Sequence, residues 1–102
     1  MIPPRELLLQ VARLVGPEAF AKRFGSPQTA EPEPDTLRAL IDERLDHIAR
    51  TLVEEAAASD DVIDEPSAVS YLEDRLRTLG DLLTPQQTES IRAAFREQIS
   101  AW

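Results

Sequence analysis

Asp35-Thr36-Leu37-Arg38-Ala39-Leu40-Ile41-Asp42-Glu43-Arg44-Leu45-Asp46-His47-Ile48-Ala49-Arg50-Thr51-Leu52-Val53-Glu54-Glu55-Ala56-Ala57-Ala58 runs for 24 residues without a proline or glycine. Leu37, Leu40, Ile41, Leu45, Ile48, Leu52 and Ala56 return at three- and four-residue steps, the period of one buried helix face. Arg38, Asp42, Asp46, Arg50 and Glu54 form a polar ladder beside that stripe. The pattern predicts one continuous helix from about Thr36 to Ala58, with the Asp35 carboxylate as its N-cap. At 1.5 Å per residue such a helix is roughly 35 Å long, the diameter of a compact domain of this size.

Proline and glycine divide the rest of the chain into blocks of the same helical period. Upstream, residues 1–25 read as a helical hairpin. Its first helix runs from about Pro4 to Val15 with Leu7, Leu8, Val11, Leu14 and Val15 on one face, and Gly16 ends it. A short second helix opens at Pro17, stacks Phe20 one turn from Phe24, and stops at Gly25. Residues 26–34 hold three prolines and no large apolar side chain, which predicts an extended, polyproline-like connector.

Downstream, Ser59 to Glu65 reads as an acidic loop. Pro66 opens a helix to about Leu79, with Val69, Leu72, Leu76 and Leu79 inward, and Gly80 stops it. The last helix starts with Thr84 as N-cap, Pro85 in the first turn and Gln87 at the third position, the pattern of a capping box. Ile91, Ala94, Phe95, Ile99 and Trp102 predict an apolar face that carries this helix to the end of the chain. No segment alternates as a strand does. The expected fold is all-α, a small antiparallel helical bundle: one domain over residues 1–102, with the hairpin 1–25, the connector 26–34 and an acidic three-helix body 35–102.

Composition narrows the functions. The chain has 102 residues, no cysteine, and a net charge of −8. The missing cysteine removes disulfide frameworks, thiolate metal sites and a cysteine nucleophile. Acidity argues against nucleic acid or an anionic membrane as partner of the whole molecule. The charge is divided: residues 1–29 carry +2 and residues 30–102 carry −10. Arg5 and Glu6 precede Leu7-Leu8-Leu9, so no secretory signal is read, and no window suits a membrane span. A cytoplasmic protein is expected, and ten arginines to one lysine fit a GC-rich bacterial genome.

Three segments invite a functional reading. The stretch Val11 to Gly25 looks like the opening of a helix-turn-helix repressor, but Pro27, Pro32 and Pro34 with Glu31 and Glu33 occupy the place of a recognition helix. Arg5, Arg13, Lys22 and Arg23 are also few for a phosphate footprint. His47 is the lone histidine, with Glu43 one turn before it. Neither a di-metal Glu-x-x-His pairing nor a zinc site can be completed, so His47 reads as a half-exposed structural residue.

The acidic stretch Glu54, Glu55, Asp60, Asp61, Asp64 and Glu65 lacks the glycine and spacing of an EF-hand, and reads as an electrostatic docking patch or a solvated loop. No phosphate loop, nucleophile elbow or metal spacing is present. No enzyme activity, cofactor or metal is therefore expected. The favoured function is a protein–protein interaction module that docks on another protein or on a second copy of itself as a dimer. Its expected interface is Val62, Ile63, Leu82, Leu83, Phe95, Ile99 and Trp102. The alternative is a nucleic-acid-related regulator, either a degenerate helix-turn-helix hairpin or an acidic DNA mimic.

Overall fold

Helical periodicity in every block produces helices throughout, and the computed structural model, which describes residues 4–100, contains six α-helices. They are α1 (Arg5–Val15), α2 (Pro17–Phe24), α3 (Pro34–Glu43), α4 (Leu45–Ala58), α5 (Glu65–Leu79) and α6 (Pro85–Ile99), with a 3₁₀ turn at Gly80–Leu82. Among the described residues there is no strand, and no helix is long and apolar enough to cross a membrane.

α4 occupies the middle. α1, α3, α5 and α6 all pack on it, α6 most extensively. Ile48, Ala49, Leu52 and Ala56 are its buried face. They meet Leu8, Val11 and Val15 of α1, Leu72 and Leu76 of α5, and Ile91, Phe95 and Ile99 of α6 in a single core. Burying a Leu or Ile side chain contributes about 1.5–3 kcal/mol. With a Cα radius of gyration of 13.4 Å, the chain has the size of an ordinary domain of its length.

The long helix expected over 36–58 is two helices. Arg44 leaves the helical region, with φ −127° and ψ 28°, and its amide donates to the Ile41 carbonyl at 3.0 Å. No proline or glycine causes the break. Instead, the Arg44 Nε donates to the Val15 carbonyl at 2.6 Å, at the C-terminus of α1. That carbonyl is one of the last of α1 and has no intrahelical donor. A tertiary contact with the α1–α2 corner thus accompanies the interruption, and α3 lies against the 3₁₀ turn as well as against α4.

Two neighbouring expectations change with it. α3 begins at Pro34, which needs no amide partner in a first turn. Its N-cap is therefore Glu33, and Asp35 sits inside the helix, 3.3 Å from Arg38. The connector is less extended than its prolines imply. Ser26 accepts from the amides of Thr29 (3.1 Å) and Ala30 (2.8 Å), closing one turn. Ala30 and Pro32 are buried, and Arg5 of α1 donates to the carbonyls of Pro27 (2.6 Å) and Ala30 (2.7 Å). The segment is clamped to the first helix.

The remaining boundaries follow the caps. Gly16 has φ +102°, a region L side chains rarely adopt, and it turns the chain sharply between α1 and α2. α5 starts at Glu65, one residue before Pro66, because Asp64 is its N-cap. α6 ends at Ile99.

At the start of α6 the Thr84 box forms as expected. The Thr84 hydroxyl accepts from the Gln87 amide and the Gln87 Oε1 accepts from the Thr84 amide, both at 3.1 Å. Gln87 is also buried, and its Nε2 donates to the Arg38 carbonyl of α3 at 3.0 Å. One side chain thereby caps α6 and ties it to α3. Gln87→Ala should cost about 1–3 kcal/mol, since it removes a buried side chain together with its hydrogen bonds to the Thr84 amide and the Arg38 carbonyl. Thr84→Ala, which removes only a cap, should cost about 1 kcal/mol. Urea unfolding of the two variants checks the order; equal losses would mean that the link to α3 contributes nothing.

Candidate functional site

The loop between α4 and α5 is the place where apolar and acidic side chains are both left outside. Among the described residues the exposed large apolar side chains are Ile63, 84% exposed, and Leu9, 40% exposed. Ile63 sits in Asp60-Asp61-Val62-Ile63-Asp64-Glu65, where the four acidic residues are all exposed and Val62 is half-buried against the core. Leaving an isoleucine in water forfeits the burial energy gained elsewhere in the fold.

Hydrogen bonds fix the loop that carries it. The Ile63 amide donates to the Ser67 hydroxyl at 2.9 Å, and the Asp64 amide to the same oxygen at 3.0 Å. Ser67 returns its amide to Asp64 Oδ1 at 3.0 Å and its hydroxyl hydrogen to the Asp64 carbonyl at 2.9 Å. At the other end Ser59 accepts from the amides of Val62 and Asp61, each at 3.3 Å. The backbone on both sides of Ile63 is held, so its side chain projects from a set position. The Asp64-x-x-Ser67 spacing is the sequence signal for this cap, with serine in place of the usual Glu or Gln.

The expected interface residues separate into two groups. Val62 and Ile63 are together in this loop. Leu82, Leu83, Phe95 and Ile99 are in the chain's own core, with Phe95 fully buried. They are part of the packed interior and present no docking surface. Trp102 lies outside the described residues. Of the acidic stretch, Glu54 is exposed, but Glu55 is half-buried and pairs with Arg13 of α1 at 2.9 Å. Asp64 is committed to its cap. Asp60, Asp61 and Glu65 remain as exposed carboxylates beside Ile63.

At the other end of α4, His47 and Glu43 do not pair. Glu43 is bound to Arg23 at 2.7 Å. His47 is half-buried, and its Nε2 would lie 3.4 Å from a Cβ added to Gly16. The histidine packs on the α1–α2 corner. Among the described residues no three His, Asp or Glu side chains are grouped to hold a metal ion. Beyond α2 the chain enters the clamped turn of 26–30, so no third helix follows the hairpin before Pro34. The hairpin itself is core: Leu8, Val11, Leu14, Val15 and Phe20 are buried, and Phe20 meets Phe24 edge-on at 5.1 Å. Arg44, Arg5 and Ser67 escape a reading of periodicity, because their roles lie in single hydrogen bonds.

No protein-family model matches this chain, and no curated protein or solved structure matches it.

The cap makes the anchorage of the loop sensitive to acid. The Ser67 amide, donating to Oδ1, holds the Asp64 carboxyl below its ordinary range. Its contribution to stability is complete above the ordinary carboxylate pKa of about 3.9 and is lost as pH falls through the lowered folded-state value. Asp64→Asn should therefore flatten the decline of Tm on the acid side of about pH 4. Parallel declines in the wild type and the variant would show that the carboxylate has no role in the cap.

Proposed function

We propose that this chain is a non-enzymatic, cytoplasmic protein–protein interaction module, an adaptor, regulatory subunit or assembly component, that docks through the loop carrying Ile63. The observation behind the reading is an isoleucine 84% exposed on a backbone held from both sides. Preorganisation matters because a fixed anchor loses less conformational freedom on binding than a flexible one. An apolar side chain on a rigid, acid-rimmed platform suits an apolar pocket bordered by Lys or Arg. The apolar contact supplies affinity, and the carboxylates supply steering and choice of partner.

Site-specific photo-crosslinking in the source cell tests it. A photoreactive residue at Ile63 should yield adducts to a single partner species. The same residue at Ala93, exposed on α6, should not. Labelling of equal strength at both positions, or none at Ile63, would contradict the reading. Ile63→Ala should weaken the adduct-forming complex by about tenfold, in line with the burial of one aliphatic side chain.

A further inference from the structure

We propose that the occupant of the Ile63 loop is a groove on a second copy of this chain, so that the protein assembles head to tail. This rests on the reading of the loop as the docking element and names its partner.

The groove lies between α2 and the α3–α4 junction and encloses about 510 Å³. Ala19 and Leu40 supply its apolar floor, and Lys22, Arg23 and Arg44 stand around it with Glu43. Its lining carries three cations and one carboxylate, a net of +2 on a molecule of net charge −8, with Arg23 paired to Glu43 and the Arg44 Nε bound to the Val15 carbonyl. The loop offers the complement: one isoleucine among Asp60, Asp61, Asp64 and Glu65, with no cation. Lys22 and Arg23 are exposed, and the Arg23 guanidinium already holds one carboxylate, that of Glu43.

Position on the fold makes the contact intermolecular. The groove is at the N-terminal end of α4 and the loop follows its C-terminal end, and 14 residues at 1.5 Å each separate them by about 21 Å. A chain cannot fill its own groove. The two surfaces are also different patches, so the contact is heterologous: each copy retains a free loop and a free groove, and association continues into an open chain or a ring. A contact built on one aliphatic side chain and exposed charges is small, so each link is weak and sensitive to salt.

Sedimentation velocity of the full chain over a concentration series at low salt tests this, with three proteins: wild type, Ile63→Asp, and the double variant Lys22→Glu with Arg23→Glu. All three substitutions are at exposed positions, and circular dichroism confirms the fold of each, with Ile63→Ser and Lys22→Ala/Arg23→Ala as replacements for one that unfolds. The wild type should rise above 11.4 kDa without levelling at a dimer, and high salt should return it to the monomer. Each variant alone lacks one half of the contact and should be limited to the monomer mass. Their equimolar mixture should form a species of two chains, because the loop of the double variant fits the groove of Ile63→Asp.

A wild type that remains monomeric, a variant that associates as the wild type does, or a mixture that remains monomeric would overturn the assignment. A monomeric wild type together with a discrete Ile63 adduct whose mass is not that of two chains would remove the self-partner while leaving the loop as docking element.

Discussion

Burial of one face of a central helix governs this molecule. α4 is the element on which α1, α3, α5 and α6 pack, and each must turn an apolar stripe toward it. In a chain of 102 residues the supply of large apolar side chains is small, so the common core draws in residues from element ends as well as centres. Leu82 and Leu83 from the turn before α6, and Ile99 from its last turn, are all in the core. An apolar residue that escapes this demand is conspicuous, and Ile63 is such a residue.

The long stripe of 37–56 was legible as helix because its period is helical throughout. Its interruption at Arg44 was not, because helix propensity and periodicity describe a segment in isolation, and here a hydrogen bond to the Val15 carbonyl lies 29 residues away in sequence. The connector shows the same division. Three prolines exclude a helix over most of 26–34, yet the turn at Ser26 and the clamp from Arg5 depend on a donor in α1. Capping was legible where the motif had its common residues, at Thr84 and Gln87, and missed where serine replaced them, at Asp64 and Ser67. For the interface residues the apolar pattern identified what avoids water, but burial in one's own core and burial against a partner have the same sequence signature. Only packing separates Phe95 from Ile63.

The division of charge acquires a structural meaning. The basic hairpin is joined to the acidic body by Arg13 with Glu55 and Arg23 with Glu43, at 2.9 and 2.7 Å. Pairs as exposed as these contribute about 0–1 kcal/mol each, so they set orientation more than stability. Lys22 and Arg23 lie toward the N-terminal end of α4, where Asp42, Glu43 and Asp46 are also exposed, while the loop beyond its other end carries carboxylates alone.

Ile63 is displayed, while Leu82, Leu83 and Ile99, also expected to dock, are internal. Relaxation of isoleucine δ1 methyl signals by a soluble paramagnetic agent, at low concentration and high salt so that the chain is monomeric, tests it most directly. Strong relaxation is expected at Ile63 and little at Ile41, Ile48, Ile91 and Ile99, all four buried. An Ile63 methyl as sheltered as those four, or an Ile99 methyl as accessible as Ile63, would contradict it.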